Sequence, residues 1–112
     1  MRFDTKTEER LRIVSVQDPR IDAAVAIEFK DAMRVETDSG PDLVILDLSN
    51  VEFIDSSGLG AIVAAMKNMG QARKLALAGL TPNVERVFTL TRMDSVFNVF
   101  PTLQGALDEL GS

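Results

Sequence analysis

Residues 43–48 read Leu-Val-Ile-Leu-Asp-Leu, and this short run limits the fold more than any other stretch of the chain. An almost continuous apolar segment of strand length has no polar face to give to water. It fits a strand covered on both sides, and therefore a central strand of a sheet. A chain of 112 residues is long enough to supply one such core and too short for two ordinary ones, so residues 1–112 are expected to form a single domain.

The flanking patterns supply the covers. Residues 2–7 alternate loosely and fit an edge strand, and the β-branched run 10–16 fits a second strand, with Glu8-Glu9 as the turn between them. Pro19 interrupts the pattern, and Asp22 has the chemistry of an N-cap for a helix over 23–37, with Val25, Phe29, Ala32 and Met33 on one face. Ser39-Gly40-Pro41 ends that helix. After the central strand, Leu59, Ile62, Val63, Met66 and Met69 recur at i, i+3, i+4, i+7 and i+10. They form one apolar face of a helix from about Ser57 to Gly70. Residues 74–79 form another strand, and Thr81-Pro82 opens a helix over 82–92 with Val84, Val87 and Phe88 inward. Residues 96–100 fit a last short strand, in which Phe97 and Phe100 are expected to be core. A terminal helix after Thr102 carries Leu103, Ala106, Leu107 and Leu110 on one side. The resulting order, β-β-α-β-α-β-α-β-α, predicts an α/β fold: a mixed sheet of four or five strands with four helices packed on it.

Composition narrows the chemistry. The chain contains no cysteine and no histidine. That excludes disulfides, thiolate catalysis, Cys/His zinc sites and any triad with an imidazole base, so no metal or cofactor is expected. Asp55 stands where a hydrolase elbow needs glycine two residues before Ser57. A net charge of −5 without a basic cluster argues against nucleic acid as a partner. The longest apolar runs fall far short of a membrane span, and residues 1–10 lack the apolar core of a signal peptide; the expected location is the cytoplasm. With no apolar surface stripe, the free protein is expected to be a monomer.

The candidate site is residues 53–60, Phe-Ile-Asp-Ser-Ser-Gly-Leu-Gly. A plain structural account has Ser56 or Ser57 capping the second helix, Asp55 facing its positive end, and Gly58 and Gly60 allowing close packing of the first turn. A functional account takes an exposed serine hydroxyl as a target for a modifying enzyme. A phosphate there would be drawn to the helix start and opposed by Asp55 and Glu52. A phosphate-binding loop is a third account, weakened by having only two glycines, no following Lys-Ser/Thr and acidic neighbours. Asp22 is a helix cap first, but its loop can lie on the same sheet edge as 55–58 and help shape a docking surface. Lys67, Arg73 and Lys74 fit a solvated helix end, and Ala61, Ala64 and Ala65 a small-residue outer face. A small enzyme using Asp55 and Ser56 lacks any base or metal to support it.

The run Val44–Ile62, with Asp-Ser-Ser-Gly-Leu-Gly at 55–60, resembles the signature of STAS domains, and more narrowly that of stand-alone anti-sigma factor antagonists of the SpoIIAA and RsbV type. Residues 77–100 resemble the family's later strand–loop–helix, and the element order matches along the chain. The resemblance implies a non-enzymatic binding protein. Its partner would be an anti-sigma factor, a serine kinase with a histidine-kinase-like ATP-binding fold, whose capture releases a sigma factor for transcription. The same kinase would phosphorylate Ser56, with Ser57 as the second choice, and a PP2C-type phosphatase would reverse it. Asp22, Asp55, Ser56, Ser57, Gly58, Leu59 and Gly60 would then form the partner-binding segment. ATP and Mg²⁺ would belong to the kinase. Pro19 departs from the family's glycine in the loop before the first helix, which bears on partner choice. The alternative is the same fold serving as a docking module of a stressosome, a sensor-coupled regulator or a lipid-transport complex.

Overall fold

The computed structural model describes residues 1–8 and 10–111. Five strands form one mixed sheet in the order β1-β2-β4-β6-β7: β1 Phe3–Thr7, β2 Leu11–Val16, β4 Leu43–Asp47, β6 Lys74–Ala78 and β7 Asn98–Phe100. β1 pairs antiparallel with β2 at the edge, while β2, β4, β6 and β7 run parallel. The turn expected at Glu8-Glu9 lies partly outside the described residues, because Glu9 is not among them.

The central position of β4 explains its composition. Val44 and Leu46 point into the main core with Phe29 and Met33 of α1 (Ala26–Thr37), Leu59 and Ile62 of α2 (Ser56–Met69), and Val84 and Phe88 of α3 (Pro82–Leu90). Ile45 points the other way, into a second cluster with Leu11, Ile13, Ala76, Ala78 and Ala106 of α4 (Leu103–Leu110). Successive side chains of a strand alternate between faces, so a strand buried on both sides must be apolar throughout. Ala76 and Ala78 are small on the face that α4 covers, while Leu75 and Leu77 fill the three-helix side. Each fully buried aromatic or branched side chain contributes roughly 1.5–3 kcal/mol. Phe29 and Phe88 also make edge-to-face contacts, with Phe3 and Phe97.

α2 ends as its sequence predicts. Gly70 takes a positive φ of 77°, and its N–H donates to the Lys67 carbonyl. Phe97 is core as expected, but Phe100 is only half-buried against the α4 cluster.

Two strands escape the sequence. β3 (Arg20–Ile21) and β5 (Phe53–Ile54) pair in parallel as a separate two-stranded sheet. They are too short to show periodicity. Their pairing also corrects the expected start of α1. Ile21 is held extended against Ile54, residues 22–25 form a turn, and the helix begins at Ala26 rather than 23. Val25 occupies the N-cap position without a side-chain bond, so Asp22 does not cap α1. Its carboxylate instead accepts from the Ala24 N–H at 3.1 Å, a local bond that competes with helix formation.

Among the described residues, no helix is long and apolar enough to cross a membrane, and no acidic, histidine or cysteine cluster could hold a metal ion.

Candidate functional site

The two loops that the β3/β5 pair brings together form the candidate site, outside the carboxyl ends of the parallel strands. The Pro19 carbonyl accepts from the N–H groups of Glu52 and Phe53, at 2.8 and 3.2 Å. Pro19 therefore does more than stiffen its loop, because its carbonyl ties that loop to the segment entering α2. The Arg20 guanidinium lies 4.3 Å over the Phe53 ring, and its Nε donates to Asp22 at 3.1 Å.

Asp55 is the joint between the loops. One carboxylate oxygen accepts from the Gly58 N–H at 2.9 Å and caps α2; the other accepts from the Ala23 N–H at 3.0 Å. Asp55, rather than Ser56 or Ser57, is thus the N-cap, and α2 begins at Ser56, one residue earlier than its apolar spacing predicts. The Gly58 N–H bond holds the Asp55 carboxyl below the ordinary 3.8; partial burial works against this, and bonds from Ala23 and Ser57 assist it.

A depressed carboxylate pKa means that the folded state holds this proton more weakly than the unfolded chain. The stability it supplies is present above about pH 4, the unfolded value, and is lost as pH falls through the folded pKa. The melting advantage of the wild type over Asp55→Asn is therefore expected to be full at about pH 7 and to shrink below about pH 4. Thermal melts of both proteins across that range would check it; a constant difference would mean that the charge of Asp55 is not what joins the loops.

With the cap supplied by Asp55, the two serines are exposed on the first turn of α2, and neither hydroxyl takes part in a hydrogen bond within the described residues. Gly58 is buried because a Cβ there would lie 1.9 Å from the Ile21 carbonyl oxygen. Gly60 differs from expectation: a Cβ there meets nothing within 4 Å, so it is not needed for packing. Leu59 faces the core. Of the segment expected to meet a partner, Ser56, Ser57 and Gly60 are exposed, Asp22 and Asp55 are half-buried, and Gly58 and Leu59 act from beneath.

Sequence reasoning passed over Arg20 and Phe53. Phe53 is 39% exposed beside the buried Ile54, an outward aromatic immediately before the helix cap. Its alternation with Ile54 was the only local signal. Other expectations are corrected here as well. Ala61 and Ala65 are buried, so the outer face of α2 is not a small-residue stripe. Arg73 is only partly solvated: its guanidinium donates to the carbonyls of Thr37 and Pro41 and braces the loop between α1 and β4.

The sequence profile of the STAS domain matches residues 2–106, which include the strand, the carboxylate cap and the two serines at the start of α2. The chain belongs to the STAS domain family. This STAS chain is 32% identical over 80 residues to the anti-sigma-B factor antagonist of Listeria monocytogenes, covering 70% of each protein. It is 31% identical over 87 residues to the anti-sigma-F factor antagonist RsfB of Mycobacterium tuberculosis, covering 78% of this chain and 71% of that one. The crystal structure of an anti-sigma factor antagonist from Mycobacterium paratuberculosis superimposes with a TM-score of 0.88 at 27% identity, covering 99% of this chain and 94% of that one.

Proposed function

We propose that this STAS domain is an anti-sigma factor antagonist that binds an anti-sigma factor serine kinase and is switched off by phosphorylation of Ser56. The observation that carries the reading is the division of labour at the start of α2. Asp55 does the capping, which leaves the hydroxyls of Ser56 and Ser57 exposed and without a structural task. A kinase can therefore take one without first breaking a cap. The names of the relatives above support the partner class.

The mechanism is one of recognition. The surface offered to the kinase comprises the first turn of α2, the 22–25 turn and the Arg20–Phe53 stack, all held in one geometry by Asp55 and Pro19. A pre-formed surface loses little conformational freedom on docking. The kinase brings ATP and Mg²⁺; the Ser56 oxygen attacks the γ-phosphorus, ADP leaves, and the hydroxyl proton passes to a base of the kinase. A PP2C-type phosphatase restores the hydroxyl by hydrolysis.

Incubation with ATP and the cognate anti-sigma kinase, followed by intact mass and peptide mapping, tests the assignment. One added phosphate on Ser56 is expected, absent without kinase and absent in Ser56→Ala. Equal labelling of Ser56→Ala and wild type would contradict it. Tight binding without any phosphate would favour the docking module of another complex.

A further inference from the structure

A cleft of about 570 Å³ opens at the far end of α2 from Ser56; the 14-residue helix separates the two by roughly 20 Å. It exists because β7 is short. β7 pairs with β6 only from Ala76 to Ala78, so the edge of β6 at Lys74 and Leu75 is left without a neighbour on that side. Met66, Leu75, Val96 and Leu110 give the opening apolar walls contributed by α2, β6, the segment before β7, and α4. Val96 is 49% exposed there, an apolar side chain turned toward water. The volume falls within the range of about 300–1,000 Å³ typical of small-molecule sites.

The charge of the cleft is opposite to that of the chain. Lys67, Arg73 and Lys74 line it, and no carboxylate does among the described residues, in a protein whose net charge is −5. Arg73 is fixed by the Thr37 and Pro41 carbonyls, with Asp42 3.7 Å away. Lys67 and Lys74 are exposed and have no ion-pair partner among the described residues. Apolar walls with free ammonium groups at the rim select a molecule that is itself an apolar chain ending in an anion.

We propose that this cleft binds a free medium-chain carboxylate, with the chain against Met66, Leu75, Val96 and Leu110 and the carboxylate between Lys67 and Lys74. Titration calorimetry of the full chain with sodium decanoate, below its micelle concentration, tests the proposal. Saturable one-to-one binding is expected, with decanoate tighter than octanoate by about tenfold, since two methylenes are added to the buried part. Lys67→Glu/Lys74→Glu is expected to weaken decanoate by about tenfold or more. Its melting temperature should stay near wild type because both positions are exposed, and Ser56→Asp should bind decanoate as wild type does. Absence of saturable heat would overturn the proposal, as would equal affinity in the double-lysine variant or equal affinity for uncharged decanol. Adsorption to phosphatidylglycerol vesicles without decanoate binding would also overturn it, by making the lysines a surface patch.

Discussion

Gly58→Ala is expected to lower the melting temperature by about 12 °C or more, corresponding to about 3 kcal/mol of stability. The added Cβ would lie 1.9 Å from the Ile21 carbonyl oxygen and 2.7 Å from its carbon. Both are backbone atoms of a segment paired to Ile54, so no side-chain rotation relieves the clash. The β3 loop must move off α2, which breaks the bond from Ala23 to Asp55 as well. Gly60→Ala is the matched control. It is also a glycine in the first turns of α2, but a Cβ there meets nothing within 4 Å. The usual cost of glycine inside a helix is then removed, and a gain of roughly 0.5–1 kcal/mol is expected. Calorimetric melts of the two variants would check this directly. Equal melting temperatures would mean that the loop before α1 can retreat at little cost.

Phosphorylation of Ser56 is expected to weaken binding to the anti-sigma kinase by about a thousandfold, or ~4 kcal/mol. In the free protein the new dianion sits at a helix start that favours it and beside Asp55, which opposes it, so the fold is expected to survive. In the complex the same phosphate is taken out of water beside a carboxylate already satisfied by two N–H groups. The like charge of Asp55 then adds to the desolvation cost. Ser56→Asp carries about half the charge and should reproduce the direction with a smaller loss. Calorimetry with unmodified, phosphorylated and Ser56→Asp protein would measure the series. Unchanged affinity after stoichiometric phosphorylation would remove the switch from the proposed function.

How much of this was legible in the sequence depended on how local each signal was. The apolar run at 43–48 announced β4 as a strand covered on both faces, and the spacing of Leu59, Ile62, Met66 and Met69 announced the buried side of α2, because both patterns express burial within one element. The Asp-Ser-Ser-Gly segment marked the start of α2 for a similar reason, since a cap and the N–H it accepts are three residues apart, although the sequence reading gave that cap to a serine rather than to Asp55. Asp22 was misread because its choice between capping a helix and closing a turn is made elsewhere. Ile54 holds Ile21 extended, and Asp55, 32 residues away from Ala23, takes the N–H that follows. Arg20 and Phe53 became a stacked pair only when those strands met, and Ala61 and Ala65 were buried by neighbours that helix periodicity does not specify. The sequence by itself determined the five strands of the main sheet, the four helices, their order and the serines at the start of α2, since these follow from the periodicity and turn chemistry of single segments. Only the tertiary structure decided which carboxylate caps, which glycine is indispensable and where the short β7 leaves a cleft, because each of these rests on contacts between segments far apart in the chain.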